Sequence, residues 1–185
     1  MRQIVLDTET TGLDKDFDQI LQFAGVLTDS DLNPIESYDL RCRLRADIIP
    51  HPAAVLVNRV SAVEAGRIGM KEFEFAQQVD KILMGSGKQT AVGYNSLSFD
   101  DEMERRLFYR NLLDPYAREW QGGNRRADIY PMALMAFALR PDGIEWPQRE
   151  DGAPSFKLEH LTAANNIAHE GAHDAVADVR ATIAL

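Results

Sequence analysis

Gln3-Ile4-Val5-Leu6-Asp7-Thr8-Glu9 begins with three apolar residues in succession and ends on two carboxylates. A short continuous apolar run of this kind reads as a buried strand, here over residues 3–8. Side chains alternate faces along a strand, so Asp7 and Glu9 point the same way. Two carboxylates brought close repel each other unless a cation sits between them. Hard oxygen donors of this type suit Mg²⁺ or Mn²⁺ rather than zinc. The pair also reads as two solvent-facing acids at a strand end, and this stretch alone leaves both readings open.

Working outward, Gly12 is a turn residue and residues 20–28 form a second strand. Asn33-Pro34 turns the chain into a third strand over 35–44. After His51-Pro52 the period changes. Phe73, Ala76, Val79, Ile82 and Leu83 recur at helical spacing within 70–84, and Gly85 ends that helix. Residues 90–94 are a short buried strand. Ser98 followed three positions later by Asp101 is a capping-box pattern for a helix running to about Asn111. A helix over 128–139 stops at Pro141, and three prolines and two glycines make 140–154 a loop. Helices over 157–165 and 174–185 complete the chain. Strands first, then strands interleaved with helices, predict one α/β domain with a mixed sheet. The last helix reaches Leu185 with no Gly, Asn or Pro to close it. The expectation is a domain spanning 1–185 cut from a longer chain.

The chain has 185 residues, 45% apolar and 26% charged, an ordinary balance for a soluble globular fold. It is long enough to bury a core without disulfides or a structural metal. No apolar run approaches the ~20 residues of a membrane span, so no membrane partner is expected. Met1 leads directly into strand-like sequence, with no room for a signal peptide. A single cysteine, Cys42, cannot form an internal disulfide, which points to a reducing, cytoplasmic setting. The net charge of −9, from 29 acids and 20 bases, argues against tight nonspecific binding along a long nucleic-acid backbone. It leaves room for an acidic site that meets phosphates through bound cations.

Two further constellations matter. Asn95-Ser96-Leu97-Ser98-Phe99-Asp100-Asp101-Glu102 lies at a strand-to-helix turn. Acids in a first helical turn commonly serve the helix dipole. On that footing Asp100 is dipole decoration or a ligand, Asp101 the cap, and Glu102 solvent-facing. Near the C-terminus, Ala172-His173-Asp174-Ala175-Val176-Ala177-Asp178 places a helix cap at Asp174. His173 then precedes the helix and Asp178 lies in its first turns, so the two could face one pocket. Of the other histidines, His51 between two prolines is structural and His160 is a packed helix residue. His169 is the first substitute should His173 not act.

Taken in order, Asp-x-Glu-Thr-x-Gly, Asn-x₃-Phe-Asp and His-x₄-Asp resemble the three exonuclease motifs of the DEDDh family, and their separation along the chain fits it. The chain is further similar to the bacterial exonuclease I branch. That similarity runs through Gly93-Tyr94-Asn95, Phe99 to Glu102, Phe108 to Asn111, Asp114 to Ala117, Ala138 to Ile144, Pro154 to Thr162 and Ala172 to Ala184. The opening Arg2 to Gly12, with Thr8 and Thr11, is more like the proofreading subunit of the bacterial replicative polymerase.

The resemblance implies a ribonuclease H-like fold, a mixed five-stranded sheet flanked by helices. It implies 3′→5′ hydrolysis of single-stranded DNA to 5′-mononucleotides. By matching positions, Asp7, Glu9, Asp100 and Asp178 would hold two Mg²⁺ ions, with Mn²⁺ able to substitute, and His173 would activate water. Glu9 would count among the catalytic and the substrate-contacting groups. Thr10 and Leu13 would line the terminal nucleotide, with a core position as the alternative for Leu13. Arg105, Tyr116, Trp120 and Lys157 would touch the strand, although Tyr116 and Trp120 could instead pack beneath the 140–154 loop. A single-strand-binding protein or a polymerase is the implied protein partner. Two rival readings stay open: an RNA-directed or proofreading exonuclease of the same superfamily, and a non-catalytic binding module.

Overall fold

The computed structural model describes all residues except Met1, Val60, Ser86 and 170–173. Five strands form one sheet: β1 Arg2–Thr10, β2 Ile20–Thr28, β3 Pro34–Arg41, β4 Gln89–Gly93 and β5 Arg125–Asp128. Their order is β3-β2-β1-β4-β5. β1 is antiparallel to β2 and parallel to β4, and β4 is parallel to β5. The helices are α1 Pro52–Asn58, α2 Ala62–Ala65, α3 Glu72–Met84, α4 Asp100–Arg110, α5 Ala117–Trp120, α6 Ile129–Leu139, α7 Leu158–Ala164 and α8 Ala175–Ala184. No described helix is long and apolar enough to cross a membrane.

The alternation within β1 divides the core. Ile4 and Leu6 face one side, with Phe75, Val79 and Leu83 of α3 and Met103, Leu107 and Phe108 of α4. Val5 faces the other, with Val92 and with Ala175 and Val179 of α8. Full burial of a side chain such as Val179 is worth about 1.5–3 kcal/mol, so this packing holds α8 firmly on the sheet. Asp7 and Glu9 continue the Val5 face toward α8, while Thr8 continues the Leu6 face toward α4.

Sequence and structure differ at several boundaries, each for a local reason. β3 stops at Arg41 rather than running to 44, because Cys42 leaves the strand to form a parallel bridge with Met70. β5 carries no local strand signal: its four residues, Arg-Arg-Ala-Asp, are mostly polar and gain their place only by pairing with β4. Asp128 ends that strand and caps α6, accepting from the Tyr130 N–H. The short helices α1, α2 and α5 carry too few residues to show a period.

The capping-box expectation for α4 is corrected. Phe99 occupies the cap position without a side-chain bond, and the Ser98 hydroxyl bonds to Asn95. The Asp101 carboxylate is engaged elsewhere, by Arg118 and Arg126. Gly12 is the turn residue expected, and its reason is a close approach: a Cβ there would collide with the Asp18 carboxylate.

Candidate metal centre

β1 delivers Asp7 and Glu9 to the face covered by α8, whose first turns carry Asp178. One carboxylate oxygen from each of the three lies within 4.8 Å of the others. Asp174 caps α8, accepting from the Val176 N–H at 3.1 Å, so the helix starts where its next turn must present Asp178. The cap expected at Asp174 is therefore present.

Asp100 enters from the other side. β1 pairs with β4 only from Arg2 to Val5, so the Thr8 N–H on that edge is free to bond elsewhere. It donates to Asp100 Oδ1 at 3.1 Å, and the Thr8 hydroxyl donates to the same oxygen at 2.6 Å. Asp100 is buried. It is therefore not a solvent-facing dipole ornament, and Asp101 beside it is neither cap nor ornament.

The electrostatics of the cluster are strained. Burial, reinforced by Asp100, Asp178, Glu9 and Asp174, pushes Asp7 well above the usual carboxylate range. Burial and then Asp178 and Asp100 push Glu9 up to about 8, with Arg41 opposing. Burial lifts Asp100 to about 7, against the pull of the Thr8 hydroxyl. A group of half-buried acids that destabilise one another's charged forms is what a hard divalent cation would relieve. The donor set fits such an ion, since all the converging ligands are carboxylate oxygens.

His173 lies outside the described residues. His169 is described, and its Nε2 is 2.5 Å from Asp178 Oδ1 while its Nδ1 is 3.1 Å from the Thr162 hydroxyl. His51 caps α1 through Nδ1, which accepts from the Ala53 N–H, in keeping with a structural role. His160 bonds to Ser155.

A cleft of about 430 Å³ opens beside Glu9 and is lined by Thr8, Thr10, Leu13, His51, Val57 and Phe99 among others. Thr10 is buried and its hydroxyl donates to the Gly12 carbonyl at 2.6 Å. Leu13 is 83% exposed, which removes the core alternative for it.

The remaining candidates are spread along the surface. Arg105 is held by both oxygens of Glu119 at 2.7 and 3.1 Å and by Glu102, and its guanidinium lies 5.2 Å from the centre of the Tyr116 ring. Three of its five N–H donors are taken by these carboxylates, and the guanidinium also holds that ring in place. Tyr116 and Trp120 are 52% and 67% exposed. They do not pack beneath the 140–154 loop, where Trp146 meets Phe137 and Phe156 instead. Lys157 is exposed, 3.8 Å from Glu159, next to Phe156, whose carbonyl accepts from the Tyr94 hydroxyl.

Sequence reasoning missed Thr8 as the partner of Asp100, the buried Arg118 beside Asp101, and Asp128, which accepts from the Asn95 and Leu97 N–H groups. The signal available for Thr8 was its face, opposite to that of Asp7 and Glu9.

A family model described as Exonuclease matches residues 4–185. Exodeoxyribonuclease I of Escherichia coli (strain K12) is 46% identical over 97% of the chain, and that of Haemophilus influenzae 44% identical over 98%. The chain spans 38% of the length of each. Among solved structures, E. coli exonuclease I in complex with a dT13 oligonucleotide superimposes with a TM-score of 0.96 at 44% identity. The match covers 99% of this chain and 39% of that one. A zinc-bound form of the E. coli exonuclease I–single-stranded DNA complex, and a structure of SSB and exonuclease I with an inhibitor, each give 0.94. They cover 99% of this chain and 39% and 40% of theirs, at 44% and 43% identity. The mixed sheet flanked by helices, ribonuclease H-like, is thus the fold of these nucleases.

Proposed function

The chain belongs to the exonuclease family, and from that premise we propose that residues 1–185 form a metal-dependent 3′→5′ exonuclease domain releasing 5′-mononucleotides from single-stranded DNA. The observation that carries the reading is the convergence of Asp7, Glu9 and Asp178 within 4.8 Å, with Asp100 held against the same strand end by Thr8.

Asp7, Glu9, Asp100 and Asp178 would hold two divalent cations, Mg²⁺ or Mn²⁺ in keeping with their hard donors. Such ions supply neutralisation and polarisation for the attacking and leaving oxygens of an in-line phosphodiester displacement. On loading, these carboxylates would give up their protons and offset the charge of the ions. His173 takes the proton of the attacking water, a task suited to an imidazole with a pKa near 6.5. Thr10 and Leu13 line the cleft that receives the terminal nucleotide, beside Glu9. Tyr116 and Trp120 offer two exposed rings on which unpaired bases stack whatever their identity. Lys157 meets a phosphate as a point charge.

DNA is favoured over RNA by the names of the relatives, which are exodeoxyribonucleases. The solved complex of SSB with exonuclease I supports a single-strand-binding protein as a partner. A cytoplasmic site of action agrees with the single, buried, unpaired Cys42.

The test is a gel time course on 3′-labelled and 5′-labelled single-stranded DNA and on matched RNA, with Mg²⁺, Mn²⁺ or chelator. A ladder shrinking from the 3′ end of DNA, lost with chelator, is the expected result. Preference for RNA would move the substrate assignment, and binding without cleavage would overturn the catalytic reading.

A further inference from the structure

α5 is a single turn, and the segment Tyr116-Ala117-Arg118-Glu119-Trp120 faces two ways. Its two aromatic ends are exposed, while Ala117 and Arg118 are buried. Arg118 is 2% exposed, and its Nη2 lies 2.9 Å from Asp101 Oδ1, 2.7 Å from Glu104 Oε2 and 3.4 Å from the Asp101 carbonyl. The second Asp101 oxygen is taken by Arg126 of β5 at 2.7 Å, and Arg126 also reaches Glu119 at 3.0 Å. Two cations from two different elements thus grip one carboxylate in the first turn of α4.

Removing charges from water is expensive, and apolar residues of similar volume commonly serve stability as well or better. Nor is this cluster arranged to recover that cost. Among the described residues, Arg118 Nε and Nη1 find no hydrogen-bond partner, and the Glu104 oxygens make an ion pair with Nη2 but no bond of hydrogen-bond geometry. What the cluster does satisfy in full is Asp101, side chain and carbonyl. Asp101 immediately follows Asp100, and consecutive Cα atoms are a rigid 3.8 Å apart. The first turn of α4 is therefore held twice: from β1, where Thr8 binds Asp100, and from α5 and β5, where Arg118 and Arg126 bind Asp101.

We propose that Arg118 is a positioning residue for Asp100, clamping the first turn of α4 so that the Asp100 carboxylate is held against Thr8, at the strand end that carries Asp7 and Glu9. The proposal rests on reading that cluster as a metal site. Arg118 touches neither metal nor substrate and acts through the backbone it fixes. Groups bonded directly to a metal ligand typically set metal affinity by about 10–100-fold, and Arg118, acting one residue away through the backbone, belongs at the lower end of that range.

The experiment is Mn²⁺ titration by calorimetry on the full chain, with thermal unfolding in chelator measured in parallel. Arg118→Met alone leaves Asp101 and Glu104 short of a cation and is expected to unfold, so the test variant is Arg118→Met/Glu104→Met, which removes both charges together. The expected result is a folded protein whose Mn²⁺ affinity falls about tenfold or more. Arg118→Lys, which keeps the charge but lacks the fork, is expected to fold and to show a smaller loss in the same direction. It decides the matter should the double variant fail to fold. Val79→Ala opens a cavity under α3, in the core that Met103 of α4 shares, but removes no partner of Asp101 or Arg118; it lowers unfolding temperature and is expected to leave affinity intact. Unchanged Mn²⁺ affinity in a folded Arg118 variant would overturn the proposal, as would an equal loss in Val79→Ala. Asp100→Ala separates the two levels: if it binds Mn²⁺ like the parent, the metal reading falls and the proposal with it.

Discussion

The Thr8 hydroxyl and the Asp100 carboxylate meet at 2.6 Å although 92 residues separate them in the chain. Thr8 stands between Asp7 and Glu9 but on the opposite face of β1, so one strand end presents two carboxylates to α8 and grips a third from α4. Replacing this hydroxyl by a methyl group tests the grip. Thr8→Val keeps the backbone bond and the volume but removes a hydrogen bond to a charged group, about 1.5–3 kcal/mol. Since that bond holds the Asp100 pKa down, its loss raises it further and leaves less carboxylate at neutral pH. The expected outcome is Mn²⁺ affinity lowered by roughly tenfold or more, read by calorimetry.

Asp7→Asn and Asp178→Asn each remove one acid from a set whose charged forms destabilise one another. In chelator both variants are expected to unfold at a higher temperature than the parent. With Mn²⁺ the order reverses, because the parent gains stability from the ion and the variants do not. A parent whose unfolding temperature does not respond to Mn²⁺ would contradict the assignment.

The pH dependence of the metal-free protein has a definite sign. Glu9 is raised from 4.5 to about 8 and Asp100 from 3.8 to about 7, so the folded protein holds these protons after the unfolded chain has lost them. The stability from this source is fully present below the unfolded pKa values and is lost as pH rises through the folded ones. Unfolding temperature in chelator should therefore fall between about pH 5 and about pH 8.5, other groups held equal. Metal loading needs the deprotonated acids, so Mn²⁺ affinity should rise over the same window with release of protons.

Tyr116→Ala and Trp120→Ala probe the exposed aromatic pair. Stacking on one base is worth roughly 1–3 kcal/mol, so each variant should weaken binding of a single-stranded oligonucleotide by about 5- to 150-fold in fluorescence anisotropy. Unfolding temperature should change little, because both rings are more than half exposed. Unaltered affinity would place the strand elsewhere.

His173→Ala should keep Mn²⁺ and oligonucleotide binding and lose about 10²–10⁴-fold in single-turnover rate. Near-normal rate would transfer the proton-accepting role to His169, whose Nε2 already contacts Asp178.

Much of this molecule is local and was legible in the chain. The apolar run at Ile4 to Leu6, the strand over 20–28, the helical period within 70–84 and the Asp174 cap depend on near neighbours in sequence. So does the shared face of Asp7 and Glu9, which follows from the two-residue repeat of a strand. The order of the three acidic motifs likewise carried the family. Other features arise between elements and have no local signature. β5 is a strand only because β4 lies beside it. Asp101 is a buried partner of Arg118 and Arg126 rather than a cap, and Arg105 is paired with Glu102 and Glu119 beneath the Tyr116 ring. A charged side chain reads as solvent-facing by default, and only the packing of other elements around it shows that it is buried and paired. The sequence determined which carboxylates could form the site. The tertiary structure decided that Thr8 and Asp100 would meet, because hydrogen bonding acts over a few ångströms of space and takes no account of the 92 residues between them.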